Sequence, residues 1–243
     1  METPVAEMHE ESALIRLDSV GKSYGSVQVL ADASFSVSRG EVVALMGENG
    51  AGKSTLKNIL CGLVAPSSGS IFVDGRRYAR LTTDLARSIG IGAIHQELSL
   101  FPNLSVAENV HIGVGTLPMR GVVIDKVKMR AQAQKVLETV FEATVDPDQL
   151  AEQLSLGERQ LVEVAKAMHR ASTMLIFDEP TTSLSLPERQ RLFRVVRSLR
   201  DRGYALGYVT HFMEEVYELA NKIVVLRDGR IVGQSKPADI TPA

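Results

Sequence analysis

Eight consecutive residues, Gly47-Glu48-Asn49-Gly50-Ala51-Gly52-Lys53-Ser54, fit the pattern G-x-x-x-x-G-K-[ST], and Thr55 follows them. Glycines at this spacing let a loop curl until its main-chain N–H groups converge on phosphate oxygens. The lysine that ends such a loop reaches the outer phosphates of a nucleotide, and the adjoining hydroxyl coordinates Mg2+. Lys53 and Ser54 hold those two positions. A plain glycine turn would match the same letters, so the flanks decide. Val42-Val43-Ala44-Leu45-Met46 is a continuous apolar run, as in a strand buried on both faces. After the loop, Leu56, Ile59, Leu60 and Leu63 recur at helical spacing, and Gly62 stands where that helix would end. A helix N-terminus directly behind the loop adds its dipole to the attraction for an anion.

Two further segments have chemistry to offer. Met174-Leu175-Ile176-Phe177 is a strand-sized apolar run that delivers Asp178 and Glu179 at its C-terminal edge, where parallel sheets bind ligands. Asp178 can hold Mg2+ through water. Glu179 can polarise a water for attack on a phosphate, as base or as orienting group. Taken alone, such an acidic pair is a solvated turn; beside a phosphate loop it reads as catalytic. Leu154-Ser155-Leu156-Gly157-Glu158-Arg159-Gln160 contains a capping box, Ser155 with Glu158 three residues on. The bland reading is a helix start and nothing more. The sharper one is an anion site at that N-terminus, with Gly157 permitting close approach, for the terminal phosphate of a nucleotide carried by another subunit.

Stepping outward, these segments need a sheet and helices to hold them. Short strands are expected at Leu14–Leu17, Phe35–Val37 and Ile71–Val73, the last followed by an Asp74-Gly75 turn. Residues 98–170 read as mostly helical. One helix is expected over 126–142, with Met129, Ala133, Val136, Val140 and Phe141 facing inward. Another starts near Ser155, and a third runs from Pro187 with Leu192, Val195, Val196 and Leu199 inward. Leu206–Thr210 and Ile223–Leu226 read as strands, the latter turning through Arg227-Asp228-Gly229-Arg230 into Ile231-Val232-Gly233. This alternation implies an α/β core with a helical insertion.

Composition narrows the classes. The chain's 243 residues suffice for one large domain. A net charge of −2 argues against bulk nucleic acid as the main partner. The single cysteine, Cys61, excludes an intrachain disulfide and suits a reducing compartment. No apolar stretch approaches the roughly 18–20 residues that cross a bilayer, and the acidic N-terminus lacks the features of a secretory signal.

Together the phosphate loop, the L-S-x-G-x-R-Q segment and the strand ending in D-E-P resemble the ATP-binding-cassette ATPases, over nearly the whole chain. The resemblance implies an α/β fold, a RecA-like P-loop core with an N-terminal antiparallel β subdomain and an inserted helical subdomain. A single domain over 12–236 is expected, its core at 12–96 and 161–236 and the helical part at about 97–160. ATP would sit on residues 47–55 with Mg2+. Tyr24 matches the aromatic that stacks on adenine, otherwise an ordinary loop tyrosine. Gln96 matches the glutamine that senses Mg2+ and the attacking water, otherwise a plain polar loop residue. His211 matches the switch histidine on the γ-phosphate, otherwise a structural histidine.

Within the family, Ile94-His95-Gln96-Glu97-Leu98, Asn103–Val110, Leu161–Ala167 and Val225–Gly229 are similar to importers of monosaccharides. That group commonly fuses two cassettes, and this chain looks like the first of them. It implies a homodimer or second cassette, an integral membrane permease docked around Gln96–Ser105, an extracytoplasmic sugar-binding protein, and a peripheral position on the cytoplasmic side of the plasma membrane. No nucleic acid partner is expected. Two departures stand out. Glu158 brings a negative charge near a phosphate site unless it turns back to cap the helix. Ser185 stands where the family usually has an aspartate that contacts the opposite subunit. The competing classes are a soluble cassette protein acting on ribosomes or DNA, and a small-molecule P-loop kinase. The first tends to have tandem cassettes, coiled-coil insertions or basic arms; the second gives no part to Ser155–Gln160 or His211.

Overall fold

The computed structural model describes residues 13–95, 98–113, 117–141 and 145–240. The first half contains strands β1 (Ala13–Tyr24), β2 (Val27–Ser38) and β3 (Val42–Met46), helix α1 (Lys53–Leu60), and strands β4 (Ser68–Val73) and β5 (Arg76–Tyr78). Helix α2 (Thr83–Ile89) and strand β6 (Ile91–Ile94) lead to α3 (Val106–His111), a small hairpin of β7 (Met119–Arg120) and β8 (Val123–Ile124), and α4 (Lys126–Val140). Then come α5 (Leu156–Arg170), β9 (Met174–Asp178), α6 (Leu186–Asp201), β10 (Ala205–Val209), α7 (Met213–Leu219), β11 (Lys222–Arg227) and β12 (Arg230–Ser235).

The central sheet runs β12-β11-β3-β10-β9-β6 and is parallel except at the β11–β12 hairpin. Strand period two sorts its side chains onto two cores. Leu175, Phe177, Leu206 and Tyr208 pack with buried residues of α3 to α6, such as Val110, Leu137, Val162 and Leu192. Val43, Leu45, Met174, Ile176 and Val209 pack on the other side with Leu56 and Ile59 of α1 and with Ile15, Leu17 and Ile71. Those last three belong to the antiparallel sheet β2-β1-β4-β5. The result is the α/β arrangement expected, with a RecA-like sheet faced by an antiparallel one.

Several local expectations are corrected. β1 and β2 are far longer than four or three residues, because bulges shift their register and Ser19 and Asp32 take positive φ (52° and 57°). Each bulge flips the alternation by which a strand is recognised. Leu63 is not on α1: the helix ends at Leu60, Gly62 turns left-handed at φ 72°, and Leu63 is 58% exposed. A Cβ at Gly62 would lie 2.3 Å from the Thr82 carbonyl carbon. On α4 the fully buried stripe is Met129, Ala133, Leu137 and Val140, with Leu137 added to the expected set; Val136 and Phe141 pack partly buried against the same core, Phe141 from just past the helix in an extended conformation. The 98–170 region, expected to be mostly helical, also holds the β7–β8 hairpin. α5 is continuous through residues 160 and 161, packing against α3 and α4 and also against β6.

Candidate nucleotide-binding site

The parallel register lines up the C-terminal ends of the strands. Val209 pairs with Leu45 on one side and Asp178 on the other, and Phe177 pairs with Ile94. The loop 47–52, the pair Asp178–Glu179 and the segment Thr210–His211 therefore emerge along one edge. β6 ends two residues before Gln96, which lies outside the described residues, as does Glu97.

The loop needs its glycines for room. A Cβ on Gly47 would stand 2.2 Å from the Leu226 carbonyl oxygen, and one on Gly52 (φ 107°) would meet Leu30 at 2.7 Å. The loop is braced from outside. The Gly229 amide donates to the Ala51 carbonyl (3.1 Å), and Gly229 accepts from the Ala31 amide (2.7 Å). Asp228 and Gly229 both have positive φ (47° and 74°), the conformation of a tight type I′ hairpin. α1 begins at Lys53 with no side-chain cap and no acidic residue in its first turn, unlike α2 to α5, which are side-chain capped. Its leading amides suit an outside acceptor. Lys53 is buried and donates to the carbonyls of Gly47 (2.5 Å) and Glu48 (2.9 Å), so its ammonium is folded over the loop. Ser54 is exposed beside it. Tyr24 ends β1 at the hairpin with Val27, half exposed, with the Lys22 ammonium 4.9 Å over its ring.

At the end of β9, Asp178 accepts from Lys57, one turn beyond Lys53 on α1, at 2.5 Å; both side chains are largely buried. Ser54 and Asp178 together give one hydroxyl and one carboxylate. That set fits Mg2+, which takes few protein oxygens and fills its sphere from water and phosphates. Among the described residues no cluster of three or more His, Cys, Asp and Glu suggests a self-contained metal site. Glu179 takes φ 46°, a left-handed conformation uncommon for a residue with a side chain and worth roughly 1–3 kcal/mol of strain. Its amide donates to Val209 at 3.0 Å, and its carboxylate lies 3.7 Å from Nδ1 of the half-exposed His211. The two side chains assigned to water and to phosphate thus meet in the fold.

Sequence reasoning missed a residue beneath them. Glu215 on α7 is 2% exposed and accepts from the hydroxyls of Thr181 (2.5 Å) and Thr210 (2.7 Å). Thr181 lies two residues after Glu179 and Thr210 one before His211, so one buried carboxylate ties both loops together. The signal was available: an acid beside Val216 and Leu219 in an otherwise apolar helical stripe. Lys57 among Leu56, Ile59 and Leu60 gave a signal of the same kind.

The segment expected to cover a nucleotide on another subunit begins at α5. Ser155 caps it, its Oγ accepting from the Glu158 amide (3.2 Å), while the Glu158 carboxylate accepts from the Ser155 amide (2.8 Å). The Glu158 charge is therefore turned back on the helix start. The Gly157 amide donates to Glu188 Oε1 at 2.9 Å. Glu188 also accepts from the Ser185 hydroxyl and amide. These donors, the Ser185 hydroxyl foremost, hold the Glu188 carboxyl below the usual carboxylate range.

With this geometry in hand, the ABC transporter family profile matches residues 30–182. The chain belongs to the ABC transporter family. Across 90% of its length it is 45% identical to the arabinose import ATP-binding protein AraG of Chromohalobacter salexigens, covering 44% of that protein. Across 92% it is 44% identical to the ribose import ATP-binding protein RbsA of Chromobacterium violaceum, again covering 44%. The chain thus spans less than half the length of these curated relatives. Among solved structures, the dimeric ATP-binding cassette MJ0796 in a post-hydrolysis state with ADP and Pi superposes with a TM-score of 0.76 at 26% identity, covering 92% of this cassette and 98% of that one.

Proposed function

We propose that this cassette hydrolyses ATP to drive a membrane permease that imports a simple sugar, working from the cytoplasmic face of the membrane. The observation that carries the reading is the strand-end row: an uncapped phosphate loop, Asp178 and Glu179, and His211 against Glu179, all on one edge of one sheet. The sugar comes from the relatives, which are named for arabinose and ribose import.

The residues divide the work as follows. The amides of 47–55 and the Lys53 ammonium bind the phosphate chain, with Lys53 exchanging its two carbonyl acceptors for phosphate oxygens. Ser54 and Asp178 would hold Mg2+, with Gln96 as a further contact. The metal would supply positive charge to the β- and γ-phosphates. Tyr24 stacks on the base. Glu179 orients a water and accepts its proton; His211 holds the terminal phosphate. Ser155 and the Gly157 amide of a second cassette cover the same nucleotide, so one chain carries two unlike half-sites. The dimeric relative supports that arrangement. The helical subdomain of residues 97–160 would dock the permease. A cleft of about 410 Å³ beside Ser99, lined by Arg87, His95, Glu163, Lys166 and Arg170, lies between α2, β6 and α5; Glu163, 3.7 Å from Lys166, offsets part of its positive charge. A sugar-binding protein outside the membrane would deliver the cargo. Among the described residues no helix is long and apolar enough to cross a membrane.

The test is Mg2+-dependent ATP hydrolysis by the chain and by Glu179→Gln. The variant should bind ATP and lose turnover by at least about a hundredfold. Equal hydrolysis removes Glu179 from its role. Lys53→Ala should lose ATP binding, and retention of full affinity would overturn the reading. Recovery of an integral membrane protein with the cassette tests the transport half.

A further inference from the structure

The Gly157 amide is the second of α5, one of the first-turn donors with no partner inside the helix. Ser155 satisfies the amide of Glu158, not that of Gly157. In the proposed closed pair, Gly157 is the donor offered to the partner's terminal phosphate. In this structure the position is already taken by an anion, the Glu188 carboxylate at 2.9 Å. The fit is close: a Cβ on residue 157 would stand 2.5 Å from both Cγ and Oε1 of Glu188. A side chain at 157 would therefore push the Glu188 carboxylate off this amide, a contact made within the chain before any nucleotide arrives.

Glu188 is anchored independently of that contact. Its Oε2 accepts from the Ser185 amide (2.9 Å) and hydroxyl (2.7 Å), completing the N-cap of α6. Ser185 closes the loop that follows Glu179. One carboxylate thus joins the start of α5 to the segment leading away from the catalytic edge. It can release Gly157 and keep both bonds to Ser185.

We propose that Glu188 is a positioning residue of the site between cassettes: it holds the Gly157 amide in an anion-binding pose in the open chain, and closure exchanges this carboxylate for the γ-phosphate. This rests on the two-cassette reading above. A negative group must leave before another enters, so Glu188 opposes closure while keeping its frame aligned. A hydrogen bond to a charged group is stronger than a neutral one by enough to shift the equilibrium about tenfold.

The experiment uses the Glu179→Gln chain, which should retain ATP, and follows Mg-ATP-driven association by sedimentation. Adding Glu188→Gln or Glu188→Ala should lower the dimer dissociation constant about tenfold, while fluorescent-ATP affinity at low protein concentration stays unchanged. Glu188→Asp keeps the charge but withdraws it by one methylene from Gly157; it should also tighten the dimer, and it stands in if the other variants fail to fold. Association unchanged or weaker in the folded variants overturns the exchange. A merely structural brace would weaken it. If the Glu179→Gln parent itself does not associate with ATP, the two-cassette reading fails first and takes this inference with it.

Discussion

Replacing Asp178 by alanine leaves the Lys57 ammonium buried without its anion. The two groups are 2.5 Å apart, with side chains 9% and 16% exposed. Screening by water is weak at that depth, so the discount for surface pairs does not apply. Removing one member of a buried pair costs about 3–5 kcal/mol. Asp178 faces the site edge and can be partly hydrated, which argues for the lower end, about 3 kcal/mol. For a chain of this size each kcal/mol moves Tm by about 2–4 °C, so Asp178→Ala should melt about 6–12 °C below the parent.

The double variant decides whether the pair is the cause. Lys57→Met keeps the length of the stem and removes the charge. Combined with Asp178→Ala, it should restore about half of the loss, leaving the double variant about 1.5 kcal/mol below the parent, a coupling of about 2.5 kcal/mol. Lys57→Met alone should cost about 1 kcal/mol, because the carboxylate it leaves is the more hydrated partner. The assay is thermal denaturation in chelator without nucleotide, so that no ligand linkage enters. If the double variant melts at or below Asp178→Ala, the buried ammonium is not what the aspartate stabilises, and the reasoning fails.

Three other outcomes follow from the same structure. Glu215→Ala leaves the Thr181 and Thr210 hydroxyls without their acceptor; it should destabilise by about 3 kcal/mol and lower turnover more than ATP affinity, measured by denaturation and steady-state kinetics, whereas Glu215→Gln should recover most of both. Gly47→Ala puts a methyl against the Leu226 carbonyl and should abolish nucleotide binding in an otherwise folded chain, read by calorimetry and circular dichroism. Burial, the largest influence, pushes the Cys61 thiol from 9.0 to about 11, so at pH 8 its alkylation should be slow in the native chain and fast in denaturant. The sign for stability follows: the unfolded thiol ionises from about pH 9 and the native one only near 11, so this group's contribution is present below pH 9 and is lost as pH rises through that window.

The parts of the site legible from the chain are those whose physics is local. The phosphate loop is contiguous, and the strand before it and helix after it are neighbours in sequence; the same holds for Asp178 and Glu179 at the end of one apolar run. What escaped is the set of polar contacts that fasten these pieces to one another. Lys57 reaches Asp178 across 121 positions, Glu215 reaches Thr181 across 34, and Gly157 reaches Glu188 across 31. No periodicity encodes such a pairing. Yet two of the three left a mark, a charge inside an apolar helical stripe, because a helix cannot bury Lys57 or Glu215 without a partner. Glu188 left none beyond an ordinary capping box with Ser185. Its carboxylate has two oxygens, the cap uses one, and nothing in a linear pattern reports where the other points. The contact on which the proposed exchange turns is therefore hidden by a residue whose local role already accounts for it.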